Sequence, residues 1–587
     1  MTILRAAAWL ALVSLALGFS RWPAAAQEQA DVILHHGKIV TVDRAFSIRQ
    51  ALAVKGDRLI RVGTDEEVFT TRGPSTTVID LGGKTVLPGL IDSHVHPSDA
   101  CLTEFDHPVP EMETIQDVLD YIQSRARALG PDRWIVVRQV FITRLKEQRY
   151  PTKEELDQVA PQNPVLFATG PDASVNSLAL KLSGIDKDFR VEGAGKVEKD
   201  PRTGEPTGIL RNCSRYIKAT PSDRKPTAQD QDRRLIALLK DYNSVGLTSI
   251  IDRDASDSEI DRYQRLHEAG ALPVRVAISR HVETMGPLEK VLAEIRKTAE
   301  HPLRQGGARL RIVGIKTYLD GGMLTGSAYM RQPWGVSRIY SIDDPSYRGV
   351  LFIPPDRLLS IVRATVAAGL QYTAHTVGDG AVHNLLDAYD AVNKQMPVVP
   401  TRPCITHSNF MSRAAIETAA RLGVVVDIQP AWLYLDTRTL VAQFGYDRLR
   451  YFQPLKSLFE AGVTAGGGSD HMQKIGSLRS INPYNPFLGM WVTITRRAKG
   501  YEGQLHPEEA LSREQALRFY TINNARLLFL EDRIGSLEAG KQADFVIINR
   551  DLLTCPEDQI REIQVLATYV AGGRVFAPPR GMRYDAR

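Results

Sequence analysis

Ile91-Asp92-Ser93-His94-Val95-His96-Pro97 sets two imidazoles two residues apart, a spacing that on a strand projects both to one face. Nitrogen donors converging from one strand end can grip a borderline divalent metal such as Zn²⁺. Alone, a His-x-His pair carries little weight. Its company changes that. Lys316, His375 and His407 each end a short apolar run, and Asp470 follows another, just after Gly466-Gly467-Gly468. Singly, each has a structural explanation: Lys316 as a solvated strand end, His375 and His407 as hydrogen-bonded core histidines, Asp470 as a turn or helix cap. Together they place six residues of metal chemistry at equivalent points of a repeating pattern.

The residue types suit hydrolysis. A lysine among metals is odd, because an ammonium repels cations. Carbon dioxide converts a neutral amine to a carbamate, whose oxygens can bridge two metals, and burial near cations favours the deprotonated amine this requires. Two metals would lower the pKa of a shared water and polarise a substrate carbonyl. Asp470 could then bind one metal, take the proton from the attacking water and deliver it to the leaving nitrogen.

The elements that must position these groups are eight short apolar runs: Val86–Ile91, Leu247–Ile251, Val274–Ile278, Ile312–Thr317, Tyr372–His375, Cys404–His407, Val424–Ile428 and Val463–Gly466. Amphipathic stretches such as Arg233–Tyr242, Leu358–Ala368 and Ala381–Val392 alternate with them, which predicts an α/β fold, a (β/α)₈ TIM-like barrel. The candidate residues then fall at C-terminal strand ends, where barrel enzymes keep their chemistry. Residues 31–84 read as short strands broken by glycines, and residues 530–580 repeat that texture, so both chain ends should build one β-sandwich around a barrel at 85–529. An insert at about 98–242 follows the first strand and is far too long for an ordinary connection. It carries strand-like pieces at Trp134–Val140 and Val165–Ala168, and a hairpin around Asp200–Gly204, and suits a lid or substrate-binding subdomain.

The chain has 587 residues, 43% hydrophobic and 24% charged, with a formal net charge of +5. That length exceeds a single simple core, and a charge this close to neutral does not point to nucleic acid or an anionic membrane. Residues 1–26 read as an export signal: Arg5, an apolar stretch from Ala6 to Phe19, then Ala24-Ala25-Ala26 for cleavage. Export makes the periplasm or secretion the expected location, with no membrane attachment after signal removal. Homo-oligomerisation stays open. The four cysteines, Cys101, Cys213, Cys404 and Cys555, show no short spacing; one bridge would be compatible with export.

In this order and spacing the chain resembles the amidohydrolase superfamily, and more closely its amidohydrolase-3 branch, which includes N-substituted formamide deformylase-like proteins. The likeness runs over about residues 31–580. Its landmarks are Leu87-Pro88-Gly89-Leu90-Ile91-Asp92-Ser93-His94-Val95-His96, Lys316-Thr317-Tyr318-Leu319-Asp320-Gly321-Gly322, His375-Thr376-Val377-Gly378-Asp379, His407, Gly468-Ser469-Asp470, Asn482-Pro483-Tyr484-Asn485-Pro486 and the tail Gly535–Asp544. The resemblance implies two divalent ions, zinc by donor type. His94 and His96 would hold one and His375 and His407 the other, with Lys316 as carbamate bridge and Asp470 as ligand and general acid/base. It implies hydrolysis of an amide, N-acyl or N-formyl C–N bond in a small molecule.

Three departures bear on the substrate. Gly170-Pro171-Asp172 stands where relatives carry a Gly-His step, Arg138-Gln139 where they carry Gly-Trp, and His471-Met472 where they carry an aromatic residue and proline. Asp172 could favour a cationic group or cap a turn, His471 could contact substrate or sit exposed, and His281, after the third strand, could line the pocket. Lactone, ester or phosphotriester hydrolysis on the same barrel, or a non-catalytic exported binding protein, are the competing readings, although a binder has no need of Lys316 and Asp470.

Overall fold

A computed structural model describes residues 28–579 apart from 139, 171, 193–194 and 221–223; the expected export signal lies outside the described residues. Eight parallel strands follow one another in sequential order: β1 (Leu90–Val95), β2 (Leu247–Ala255), β3 (Arg275–His281), β4 (Leu310–Tyr318), β5 (Gln371–Thr376), β6 (Cys404–His407), β7 (Val425–Ile428) and β8 (Ala465–Gly467). Helices cover their outer faces, so these strands are buried on both sides and read as continuous apolar runs rather than alternating ones. The covering helices start on local capping boxes, Thr227 with Asp230 ahead of Ala228–Ser244 and Ser256 with Glu259 ahead of Asp257–Glu268.

The run Val86–Ile91, expected as the first barrel strand, divides in two. Thr85–Pro88 belongs to a different sheet, and β1 begins at Leu90. Pro88 lacks an N–H and cannot continue a ladder on both sides. Gly89 lies so close to β2 that an added Cβ would come within 2.2 Å of the Thr248 hydroxyl oxygen. Hydrophobicity is the same on both sides of this handover, so periodicity alone does not reveal it.

Thr85–Pro88 joins a six-stranded sheet with Lys38–Val40, Ile48–Arg49, Phe545–Ile548, Val565–Val570 and Gly573–Phe576. A four-stranded sheet of Val32–His35, Ala51–Lys55, Arg58–Gly63 and Thr77–Asp80 packs on it through Leu34, Leu52, Leu59, Val86, Phe545 and Tyr569. Arg275 of β3 reaches out of the barrel to this sandwich. It forms a buried two-pronged pair with Asp544, at 2.6 and 2.8 Å, and donates to Gln542 at 3.0 Å.

The insert builds a five-stranded sheet ordered Lys196–Lys199, Pro206–Arg211, Ala173–Val175, Val165–Ala168, Ile135–Arg138, with the first two strands forming the expected hairpin. Helix Ala228–Ser244, which the sequence reading assigned in part to the insert, packs on the barrel instead. Leu235, Leu238, Leu239 and Tyr242 join the barrel core, because their spacing lines one helical face. The four cysteines are free thiols. Among the described residues no helix is long and apolar enough to cross a membrane.

β1 and β8 do not pair along their length. Their seam is held at the N-terminal end by Asn524, whose amide donates to Ile91 O at 2.6 Å and Gly467 O at 2.8 Å. At the other end, Asp470 N–H donates to His94 O and His96 N–H to His471 O, each at 2.8 Å. Asn524→Ala leaves two buried carbonyls without a donor and is expected to cost about 2 kcal/mol or more, read as a lowered denaturant midpoint with unchanged slope. An unchanged midpoint would remove Asn524 from the closure.

Candidate metal centre

His94 projects from the end of β1 and is wholly buried; His96 follows just beyond the strand. Asp470 enters from the loop after β8. Ligand atoms of these three lie within 4.8 Å of one another. His94 Nε2 is 3.1 Å from His96 Nε2 and 3.4 Å from Asp470 Oδ1, while His96 Nε2 is 3.2 Å from the same oxygen. His407, ending β6, brings its ring to 4.9 Å from that of His94, and His375 of β5 lies 4.5 Å from His407. Lys316 of β4 is 1% exposed. Its charge acts on all four imidazoles, and its Nζ sits 5.2 Å from the centre of the Tyr318 ring. The six residues singled out by sequence therefore meet at one mouth of the barrel, the tightest group being His94, His96 and Asp470.

The imidazoles are presented for coordination. His94 Nδ1 lies 3.2 Å from Asp427 Oδ2, and His407 Nδ1 lies 2.7 Å from Gln429 Oε1. Gln429 Nε2 donates to Asp427 Oδ1 at 2.7 Å, which orients the amide so that its oxygen faces His407. Each Nδ1 thus carries the proton, and each Nε2 keeps its lone pair. Burial, followed by the Lys316 charge, pulls His94 well below the ordinary histidine range. Burial likewise pulls His407 far down, and His375 to about 3. His96 moves the other way: burial opposes its charged form, but the Asp470 carboxylate outweighs it. Facing lone pairs at 3.1 Å are repulsive without a positive charge between them. A divalent cation fits these donors better than the single proton His96 can supply.

Lys316 supports the same fit. Burial lowers its pKa, against the charges of Asp254, Asp470 and Asp427. Among the described residues its Nζ makes no ion pair and no hydrogen bond. A buried ammonium left so is costly, whereas a neutral amine open to carbon dioxide is not.

The backbone is held in unusual conformations here. His407 has φ 72°, Ser408 φ 39° and Asp470 φ 55°, left-handed values that non-glycine residues avoid. Asp92 accepts from His94 N and Ser469 N at 2.9 and 3.0 Å, tying the His94 and Asp470 segments together; burial raises its carboxyl to about 7. Asp320 accepts N–H groups of Tyr329, Val377 and Gly378, each at 2.9 Å, and so holds the loop after His375.

Sequence reasoning missed Asp427, Gln429, Arg253 and Asp254. Arg253, fully buried inside the barrel, lies 3.2 Å from Asp427 Oδ2 and donates to Ser93 O at 3.1 Å and Gln371 Oε1 at 2.8 Å. Charged residues inside otherwise apolar barrel strands were the available signal, since a buried charge persists only with partners.

The three substrate candidates part ways. His281 stands at the mouth: its Nδ1 is 2.8 Å from Asp254 Oδ1, and the Tyr318 hydroxyl donates to Asp254 Oδ2 at 2.7 Å. His471 is neither exposed nor a pocket residue. It is fully buried, with Nδ1 accepting from Tyr242 at 2.7 Å and Nε2 facing the carbonyls of Gln473 and Lys474 at 2.9 and 2.8 Å; burial draws its pKa down to about 4. Its hydrogen bonds brace the loop that carries Asp470. Asp172 accepts from Asn212 N at 2.7 Å and pairs with Arg211 at 3.4 Å inside the insert, so its carboxylate is already engaged.

The comparisons agree with this geometry. The chain is 29% identical over 560 residues to an N-substituted formamide deformylase of Arthrobacter pascens, covering 93% of this chain and 98% of that protein. It is 25% identical over 557 residues to the putative amidohydrolase YtcJ of Bacillus subtilis, covering 93% and 99%. An uncharacterized metal-dependent hydrolase from Pyrococcus horikoshii shares the fold with a TM-score of 0.65 at 22% identity, covering 90% of this chain and 99% of that one. The zinc-complexed atrazine chlorohydrolase TrzN of Arthrobacter aurescens does so at 0.51 and 15%, covering 94% and 97%. The amidohydrolase family matches residues 77–576, so the barrel, its mouth and five of the ten sandwich strands fall within the match, and the chain belongs to the amidohydrolase family of metal-dependent hydrolases.

Proposed function

We propose that the chain hydrolyses a C–N bond, in an amide, N-acyl or N-formyl amine, of a small molecule. The observation that carries this reading is the convergence of four imidazoles, one carboxylate and an unpaired buried lysine at one barrel mouth. The likeness to a protein named as a formamide deformylase supports the choice of bond. His94 and His96 would hold one divalent ion and His375 and His407 a second, zinc suiting the donor set, with Asp470 and a carbamate on Lys316 completing both.

When bound, such cations lower the pKa of water toward neutrality and polarise a carbonyl. The chain's own groups do the rest. Burial lowers the Lys316 pKa and so favours its deprotonated amine, which would add carbon dioxide at Nζ and release one proton, turning a neutral group into an anionic carbamate. Asp470 Oδ1, beside His94 and His96, accepts a proton from the attacking water and passes it to the departing nitrogen, which would otherwise leave as an unstable amide anion. Asp427 and Gln429 keep His94 and His407 in the tautomer that presents Nε2. Tyr318 and His281, joined through Asp254, line the approach and orient the substrate.

Residues 1–26 we read as an export signal cleaved after Ala26, which assigns the protein to the periplasm or to secretion; amino-terminal sequencing of the natural protein tests this directly.

Asp470→Asn is expected to keep bound metal, measured by elemental analysis, and to lose about 10²-fold or more in turnover of N-formyl amines. Wild-type rates in that variant would remove Asp470 as the proton carrier, and activity on lactones but not on N-formyl amines would overturn the bond assignment. Asp427→Asn is expected to weaken metal affinity about 10- to 100-fold through His94, checked by competition with a chelator; unchanged retention would reduce Asp427 to a packing role.

A further inference from the structure

A cavity of about 570 Å³ lies between the insert and the loops after β7 and β8, and none of the six residues of the metal centre lines it. The insert supplies one wall from residues 109–114 and 140–146. The other walls come from helix Pro430–Phe444, which follows β7, and from the stretch that runs on from Asp470 and includes Gln473 and Lys474. Two contacts tie it to the metal centre. His471 fixes the Lys474 carbonyl at 2.8 Å. The Arg144 guanidinium stacks 5.2 Å from the centre of the Trp432 ring, which is itself 6.4 Å from the His407 ring.

The lining is cationic beyond what its own acids neutralise. Arg144 is paired with Asp436, Arg479 with Glu104 and Lys499 with Glu113. That leaves Lys146, Arg438, Lys474 and Arg561 on the wall, with Glu111 as the one lining acid outside those pairs. Lys474 is the telling member. It is 4% exposed, and its ammonium donates to a single acceptor, Pro110 O at 3.0 Å. An ammonium has three donors, and a buried one with a single hydrogen-bond acceptor is under-satisfied, the Glu104 and Glu111 carboxylates acting on it at longer range without an ion pair. Its backbone has φ 66°, a left-handed value costly for lysine, so the loop is held under strain with this side chain at the cavity.

We propose that this cavity binds an anionic group, a carboxylate or a phosphate, through Lys474, and that the group belongs to the substrate. Resting on the C–N hydrolase reading, this makes the substrate an acidic N-acyl or N-formyl compound whose charged end lies against the insert while its scissile bond faces His94 and Asp470. The insert then selects substrates by charge in addition to covering the barrel mouth.

The test uses the zinc-loaded full chain and its Lys474→Met and Lys146→Gln variants, Lys146 being exposed. Calorimetry measures binding of succinate and, separately, inorganic phosphate, and the arm that binds identifies the anionic group. Rates are measured on a matched pair, N-formylglutamate and N-formylbutylamine. Lys474→Met is expected to weaken anion binding about tenfold or more and to lower the acidic-to-neutral ratio of kcat/KM by a similar factor. Lys146→Gln is expected to weaken anion binding about twofold, and it carries the test should Lys474→Met not fold. Wild-type anion affinity in both variants, or a wild-type chain that binds neither anion, overturns the proposal. If no N-formyl compound is turned over, the deformylase reading fails, while loss of succinate or phosphate affinity in Lys474→Met still upholds the anion site.

Discussion

The seam between β1 and β8 is the constraint on which the rest depends. A barrel of parallel strands must close on itself, and here the closing hydrogen bonds run from Asp470 N–H to His94 O and from His96 N–H to His471 O. The residues that join the first and last strands are also the residues that bring nitrogen and carboxylate donors together. Space is the price of this arrangement: a Cβ at Gly468 would lie 2.8 Å from His94 N, so only glycine lets the two segments approach. The left-handed backbone at Asp470 follows from the same tight passage.

Below the seam, the barrel interior is polar where a simple core would be apolar. Arg253 and Asp427 form a buried pair at 3.2 Å, and Ser93 and Gln429 each donate to Asp427 Oδ1 at 2.7 Å. Such a pair earns little net stability, because desolvation offsets most of the attraction. Its value lies in direction. With its other partners in place, Asp427 has one oxygen edge left for His94 Nδ1, so the tautomer is set before any ligand arrives. Burial holds the His94 pKa well below the ordinary histidine range, and the positive charge of Arg253 acts in the same direction.

The sandwich and the insert act at longer range. Arg275 and Asp544 lock β3 to a sheet that draws strands from both ends of the chain, so the sandwich can close only when the barrel between its halves has formed. The insert packs its own two small cores, and its charged edge meets the loop after β8 at Lys474. The amidohydrolase match, residues 77–576, spans the insert as well as the barrel.

The local sequence determined much of this. Apolar runs broken by capping signals marked eight strands and their helices, since burial on both faces leaves an unmistakable hydrophobic trace. His-x-His, Lys316, His375, His407 and Asp470 were legible because metal-binding side chains are rare at strand ends. What the sequence did not show was any feature set by contact across the chain. The switch of sheets at Gly89 depends on Thr248, and the burial of His471 depends on Tyr242, 229 residues away. Asp172 could equally have favoured a cationic group or capped a turn, and only the fold shows it engaged by Arg211 and Asn212. Pattern reports which face of an element is apolar; only tertiary structure decides which polar group meets which, because hydrogen bonds and ion pairs act over a few ångströms between residues that sequence holds hundreds of positions apart.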